Sequence, residues 1–240
     1  MLALLPVATN AQAIFSDDFE SGMSAWTATG SSPLDLSTAQ NVVPAGGSQS
    51  ALLNSSLDKM YHNLGSEVSG TTVASFHIYD STATRAYGEV RGYTGSGYNV
   101  GTLDNLIAVG IYSSVTMAGE TFDPTKYQAR LLPTAFGWFN LNAPGAPSRS
   151  TGWHQFDIKR SGTTVEFYVD GVLSRSMTGA TDFTWDSLTI GSVAAGSSVG
   201  DAWFDGISVF TPVPEPSTYA MLAGLGLTAF AAYRRQTRKA

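Results

Sequence analysis

Hydrophobic and polar residues between positions 14 and 211 alternate in short stretches, separated by Gly, Ser, Asn and Pro. The clearest stretches are residues 153–160 and 164–169, in which apolar and polar side chains interleave with a period of two. This period is typical of half-buried β-strands, and no stretch of this region keeps the 3.6-residue period of a helix. Asp170-Gly171 follows the second stretch and predicts a tight hairpin, because glycine adopts positive φ at no steric cost.

Further stretches of the same kind predict more strands. They lie at residues 72–79, 85–93, 106–112, 172–177, 187–192 and 202–210. Because antiparallel strands at this spacing must bury one face against another sheet, the expected fold is all-β, an antiparallel β-sandwich. Within residues 153–160 we expect Trp153, Phe156 and Ile158 in the core and His154 on the surface.

The composition fits one β-rich domain and excludes several functions. The 240 residues suffice for a single sandwich core, and only 13% of them are charged. A net charge of -6 leaves no basic surface of the kind that binds nucleic acid, so no such partner is expected. Cysteine is absent, which excludes disulfides, thiolate metal sites and a cysteine nucleophile.

Residues 1–13 have the pattern of a cleavable secretion signal. An apolar run over residues 1–8 precedes Ala11 and Ala13, the small residues that signal peptidase accepts. Cleavage after Ala13 would leave Ile14 as the first residue of the mature protein. The positively charged segment that usually opens such a signal is missing, so either the true start lies upstream or the segment is a buried first strand instead.

The end of the chain, residues 212–240, carries three features in fixed order. They are the motif Pro214-Glu215-Pro216, an apolar stretch at residues 219–233, and a basic cluster of Arg234, Arg235, Arg238 and Lys239. The apolar stretch is shorter than the ~20 residues of a comfortable transmembrane helix, but it can cross a thinned bilayer. The basic cluster would stay cytoplasmic, which places the preceding domain outside.

This order of features resembles the PEP-CTERM sorting signal of Gram-negative bacteria. The resemblance implies that an exosortase, a membrane-embedded Cys transpeptidase, recognises the tail, removes its helix and releases or transfers the protein at the surface. We therefore expect an exported protein that is anchored transiently in the inner membrane and delivered to the cell surface or extracellular matrix. The alternative is a plain C-terminal anchor, and whether the helix is cleaved stays open.

The region 14–211 resembles the concanavalin A-like or laminin G-like jelly roll. The residues that carry the resemblance are Gly152-Trp153-His154-x-Phe156-x-Ile158, Val165-x-Phe167-Tyr168-Val169-Asp170-Gly171, Phe204-Asp205-Gly206-Ile207-Ser208-Val209, and the opening Asp17-Asp18-Phe19-Glu20-Ser21-Gly22 with Trp26. The resemblance implies a single domain whose first and last strands lie side by side.

The same resemblance implies a structural Ca²⁺ where the terminal strands meet. Carboxylate oxygens are the ligands that this hard cation prefers, and the matching positions are Asp18 or Glu20 near the start and Asp205 near the end. The alternative is that Asp17 and Asp18 only cap a loop.

Catalytic motifs are missing from the sequence. Retaining glycoside hydrolysis needs two carboxylates about 5 Å apart, and laminarinase-type enzymes of this fold carry them as Glu-x-Asp-x-x-Glu on one strand. Here Glu67, Glu89, Glu120 and Glu166 are each alone, and His62, His77 and His154 are scattered. Neither a Gly-x-Ser-x-Gly elbow nor a phosphate loop is present. We expect no catalytic residues; the alternative is a polysaccharide hydrolase or lyase on the same fold.

Aromatic residues are the remaining candidates for a binding site. The middle third of the chain contains Tyr87, Tyr93, Tyr98, Tyr112, Trp138 and Phe139. Flat rings can stack on pyranose faces, and Tyr93, Tyr98 and Trp138 are the candidate ligand-binding residues. Core packing is the alternative for each ring, since sandwich cores contain many aromatics. The expected function is carbohydrate binding or adhesion within the exopolysaccharide layer, with an enzyme or a purely structural spacer as alternatives.

Overall fold

The computed structural model describes residues 12–29, 32–42, 47–55, 58–81, 83–95, 97–98, 100–113, 117–133, 137–178, 184–192 and 200–212. These residues form the strands β1 Gln12–Asp17, β2 Thr27–Ala28, β3 Asp35–Ser37, β4 Ser50–Leu53, β5 Lys59–Val68, β6 Thr72–Asp80, β7 Arg85–Thr94, β8 Thr102–Tyr112, β9 Gln128–Leu132, β10 Trp138–Asn140, β11 Gly152–Ser161, β12 Thr164–Val169, β13 Val172–Met177, β14 Trp185–Gly191 and β15 Ala202–Thr211. No helix within these ranges is long and apolar enough to span a membrane.

The strands form two sheets, which confirms the predicted β-sandwich. Sheet I has the order β13-β12-β11-β6-β15-β4-β3, with β1 also paired to β15. Sheet II has the order β10-β9-β8-β7-β14-β5-β2. The first and last strands therefore lie side by side, as the jelly-roll resemblance implies, and residues 13–210 make one compact unit.

The core lies between the sheets because every second side chain of each strand points inward. In β6 of sheet I, Phe76 and Ile78 are fully buried in it, and in β7 of sheet II so is Val90. Gly88 also faces inward, and a Cβ there would lie 2.4 Å from the Phe76 ring. Only glycine allows the sheets to approach this closely at that point.

The predicted Asp170-Gly171 hairpin is confirmed between β12 and β13. Both residues have positive φ, 50° at Asp170 and 74° at Gly171. Positive φ at both central residues is the geometry of a type I′ turn, whose twist matches that of the flanking strands.

The expected orientation of Trp153 and His154 is wrong. Trp153 pairs with Tyr79 on the outer face of sheet I, where the two ring centroids are 5.5 Å apart. His154 pairs with Ile78 on the inner face and is buried. The strict period of two that places Phe156 inward also places residue 154 inward and residue 153 outward, whatever their size.

The terminal predictions fall mainly outside the described residues. Residues 1–11 of the predicted signal lie outside them, while Gln12 and Ala13 are exposed at the start of β1. The Pro214-Glu215-Pro216 motif, the C-terminal helix and the basic cluster also lie outside them. The domain boundaries at residues 13 and 211 stay predictions.

Candidate ligand-binding groove

A groove of about 320 Å³ lies on the outer face of sheet II. Its lining residues are Lys59, Tyr87, Glu89, Arg91, Tyr98, Leu106, Tyr112, Arg130 and Trp138. The strand period explains this composition, because Tyr87, Glu89 and Arg91 alternate along β7 with residues that face the core. The outer face of one strand thus supplies a ring, an anion and a cation to the groove.

Strand register aligns the groove residues across the sheet. Glu89 lies opposite Thr189 of β14 on one side and Ala108 of β8 on the other. Ala108 lies opposite Arg130 of β9, which in turn lies opposite Trp138 of β10. Directly opposed residues share a face, so these side chains stand in one row. Ala108 is fully buried, and Glu89 and Arg130 line the groove on either side of it.

Aromatic rings surround this row. On one side Tyr112 and Trp138 stack with their centroids 4.2 Å apart, and Tyr87 meets Trp138 edge to face. On the other side Tyr61 and Tyr98 stack at 4.5 Å. Tyr98 and Tyr112 are partly exposed, whereas Trp138 is 5% exposed and supports the ring stacked on it.

Glu89 is the centre of a buried charge cluster in the groove. Its Oε2 accepts hydrogen bonds from Lys59 Nζ at 2.7 Å, from Arg91 Nε at 2.9 Å and from the Thr189 hydroxyl. Burial alone would raise the pKa of Glu89, but the charges of Lys59 and Arg91 and the hydrogen bonds from Lys59 and Thr189 lower it to about 2. Glu89 is therefore ionised at neutral pH, and its single charge faces two cations.

Arg130 differs from the other cations of the groove because it has no partner. Its Nε is buried without a hydrogen bond. Within the described ranges, its guanidinium also makes no ion pair, in contrast to Arg91. The lining thus carries three cations, Lys59, Arg91 and Arg130, against the one carboxylate of Glu89. The groove is positively charged in a chain whose net charge is -6.

The structure brings the three predicted ligand-binding residues to this face. Tyr98 and Trp138 line the groove. Tyr93 lies beside it, where its hydroxyl accepts a hydrogen bond from Arg91 Nη1 at 3.0 Å and its ring lies 5.7 Å from that of Tyr98. Phe139 instead points into the core, as the strand period requires of the residue after Trp138.

Sequence reasoning missed the charged half of the groove. Glu89 was expected to be alone, but it contacts Lys59 and Arg91. The available signal was the order Tyr87-x-Glu89-x-Arg91-x-Tyr93. It places rings and charges at every second residue, and alternate residues of a strand point to the same face of the sheet. Lys59 and Arg130 come from other strands, and their approach depends on the strand order of the sheet.

The residues proposed for calcium are brought near the paired terminal strands but accept other hydrogen bonds. Glu20 Oε1 accepts the backbone N–H groups of residues 48 and 49, both at 2.7 Å. Asp205 accepts those of Val42 and Gly206 at 2.8 and 2.7 Å. Burial, together with the nearby charge of Asp18, raises the pKa of Asp205. The described residues contain no group of three metal-ligating side chains, and calcium binding stays a prediction.

A Ser-His-Asp arrangement occurs on the opposite sheet. His154 Nδ1 lies 2.7 Å from Asp170 Oδ2, while its Nε2 lies 3.1 Å from Ser150 Oγ and 2.9 Å from the Ser150 carbonyl oxygen. Burial would lower the pKa of His154, but the hydrogen bond and charge of Asp170 and the bond to the Ser150 carbonyl raise it above its ordinary value. The contact with Asp170 connects β11 to the β12–β13 turn, in which Asp170 lies.

The C-terminal tail matches a known sorting motif. Residues 212–236 match the PEP-CTERM protein-sorting motif, so the chain is exported and sorted through the cell envelope, and its tail is recognised by an exosortase. No protein in the curated set matches the chain in sequence.

Solved structures of similar fold are β-sandwich domains. Domain 4 of AbnA, a GH43 extracellular arabinanase from Geobacillus stearothermophilus solved with arabinotriose, has a TM-score of 0.55 and 13% identity; the match covers 86% of this chain and 96% of that one. The cellulose induced protein Cip1 has a TM-score of 0.54 and 17% identity, with 81% and 96% coverage. At these identities the likeness shows the fold alone.

Proposed function

We propose that this protein is a non-catalytic surface or matrix protein that binds carbohydrate in the groove of sheet II. The observation that carries the proposal is the row from Glu89 to Trp138, in which charged lining residues are flanked by the partly exposed Tyr98 and Tyr112. Rings beside fixed hydrogen-bonding groups suit a pyranose, which presents an apolar face and a polar rim. The volume of about 320 Å³ is at the lower end of the range of small-molecule sites.

The protonation state of Glu89 supports binding without cleavage. A glycosidase needs a general acid whose pKa is raised, together with a second carboxylate, about 5 Å away in retaining enzymes and about 6.5–9.5 Å away in inverting ones. The pKa of Glu89 is lowered to about 2 instead, so it cannot donate a proton at neutral pH. It is also the one carboxylate among the described lining residues.

Export would place the groove outside the cell. After signal peptidase cleavage, we expect the C-terminal helix to hold the protein transiently in the inner membrane of a Gram-negative cell. Exosortase processing would then deliver the domain to the exopolysaccharide layer, where a polysaccharide is the most abundant ligand. Mass spectrometry of the surface protein would identify both mature termini.

Calorimetric titration of the purified full-length chain with a panel of polysaccharides tests the proposal. We expect at least one glycan to bind, and Tyr112→Ala to weaken that binding about tenfold, since a stacked ring contributes of the order of 1 kcal/mol. Tyr168→Ala is the matched control, because Tyr168 is partly exposed on the outer face of sheet I.

Each outcome separates the candidate functions. Binding without release of new chain ends supports the proposal. Depolymerisation of the bound glycan would favour the enzyme, and equal losses in the Tyr112 and Tyr168 variants would remove the groove as the site. No binding to any glycan would leave a structural spacer.

A further inference from the structure

We infer that the ligand of the groove is an anionic glycan, and that Arg130 is the residue that pairs with its carboxylate or sulfate groups. The inference rests on the proposed function and adds the chemical class of the sugar. The observation behind it is the contrast between Arg130, which has no partner, and the other cations that line the groove.

The Arg130 guanidinium has no described protein partner. Arg130 Nε is buried and makes no hydrogen bond. Arg130 also lines the groove, and no described protein group pairs with its guanidinium, so its remaining N–H donors can take an acceptor from a ligand. The planar fork of an arginine matches the two oxygens of a carboxylate or a sulfate.

Glu89 does not pair with Arg130, because two other cations already hold it. Glu89 is already bound by Lys59 Nζ at 2.7 Å and by Arg91 Nη2 at 2.8 Å. Arg130 and Glu89 are separated in their row by Ala108, whose side chain cannot bridge them. The positive charge of Arg130 is therefore left for a ligand, and the surplus charge of Lys59 and Arg91 over Glu89 has the same sign.

The groove differs in charge from the whole chain. Elsewhere in the described part of the chain, Arg149 binds Asp80 at 2.9 Å, Arg175 binds Glu120 at 3.3 Å and Arg160 donates to the Gly70 carbonyl oxygen at 2.7 Å. An acidic protein repels polyanions in general, so a local positive groove directs an anionic chain to one place on its surface. A neutral glycan would offer Arg130 hydroxyl oxygens but no counter-charge.

Ring positions complete the site. Arg130 lies opposite Trp138, which is stacked on Tyr112. The Arg85 guanidinium lies over the same tyrosine, 4.9 Å from its centroid, so a sugar meets the exposed rim of Tyr112. From that rim the sugar can direct an acidic substituent at Arg130.

Calorimetry of the full-length chain with four glycans tests the inference. Polygalacturonate and alginate carry carboxylates, dextran sulfate carries sulfates, and laminarin is neutral. We expect the acidic glycans to bind at least about tenfold more tightly than laminarin, and Arg130→Gln to reduce their binding about tenfold. Lys159→Gln is the control, because it removes a positive charge from the outer face of sheet I.

The basic cluster of the tail is present in every variant. A difference between the wild type and Arg130→Gln therefore reports on the groove and not on the tail. Tighter binding of the carboxylate glycans than of dextran sulfate assigns the site to uronates, and the reverse assigns it to sulfated sugars. If Arg130→Gln does not fold, Arg130→Lys keeps the charge without the fork and should lose part of the preference for acidic glycans.

The inference and the proposed function fail differently. Laminarin bound as tightly as the acidic glycans, with Arg130→Gln or Arg130→Lys unchanged, would overturn the anionic ligand and leave carbohydrate binding intact. Absence of binding to all four glycans would overturn both.

Discussion

The outer faces of the two sheets each carry a lysine–glutamate ion pair with tyrosines nearby, but the two pairs lie in different surroundings. On sheet II, Glu89 binds Lys59 at 2.7 Å, and both side chains are at most 5% exposed. On sheet I, Glu166 binds Lys159 at 3.0 Å and accepts a hydrogen bond from the Tyr168 hydroxyl, but these charged side chains are 25% and 38% exposed. A similar ion pair is thus a solvated surface feature on one face and the base of a groove on the other.

The rings account for the difference. Tyr87, Tyr112 and Trp138 cover the neighbourhood of Glu89, so its charge is held in a place of low dielectric where each partner matters more. Glu166 keeps its contact with water and gains little from Lys159. Aromatic cover, more than the identity of the ionic pair, separates a binding site from a solvated strand face.

The largest expected effect comes from breaking the buried cluster. Glu89→Gln leaves Lys59 and Arg91 buried without a counter-charge, and we expect it to lower the free energy of unfolding by about 3–5 kcal/mol. Urea denaturation at pH 7 measures this loss. Glu166→Gln is the matched control, with an expected loss of at most about 1 kcal/mol. Equal losses in the two variants would contradict the difference drawn between the two faces.

An intermediate effect is expected from the pair formed by His154 and Asp170, whose side chains are 10% and 40% exposed. The pKa of His154 is raised, so its stabilising contribution is present below its ordinary value of 6.5 and is lost as pH rises through the raised pKa. The pKa of Asp170 is lowered, with burial opposing the bond from His154, so its contribution is lost only as pH falls through that lowered value.

Asp170→Asn tests this pair and keeps the turn, because asparagine tolerates positive φ. Compared with the wild type, we expect a loss of about 0.5–1 kcal/mol near pH 5.5 that shrinks near pH 9. Chemical denaturation at both pH values gives the two differences. A loss that is the same at both would show that the charge of His154 plays no part.

The smallest effect is expected at Lys159 and Glu166. A double-mutant cycle with Lys159→Gln and Glu166→Gln should give a coupling of about 0.5 kcal/mol at low salt, and NaCl near 1 M should remove most of it. Coupling that survives the salt would mean that this pair is shielded like the Glu89 cluster.

The two-residue alternation of apolar and polar side chains predicted much of this structure. The other contacts depend on the order of the strands in each sheet. The sandwich and the Asp170-Gly171 turn follow from the local pattern. The contact of Lys59 with Glu89 does not, because it depends on β5 and β7 both flanking β14. That order is fixed by packing across the whole sandwich and leaves no trace in the spacing of either strand.

His154 shows where pattern reasoning gave the wrong orientation. Trp153 lies an odd number of residues from both Phe156 and Ile158, so alternation places it on the face opposite theirs and places His154 on the same face as both. Trp153 instead packs on Tyr79 at the outer face, as does Trp203, with centroids 5.5 and 5.6 Å from that tyrosine. The outer face of sheet I therefore has rings of its own. Its described cation Lys159 is paired with Glu166, whereas Arg130 in the groove of sheet II has no described partner.

A crystal structure of the chain with trigalacturonate tests most directly whether the groove of sheet II is the binding site. The predicted result is a sugar ring against Tyr112 or Tyr98 with a carboxylate at the guanidinium of Arg130. A trisaccharide bound instead at Tyr79, Trp153 and Trp203 on sheet I, with the groove of sheet II left unchanged, would contradict it.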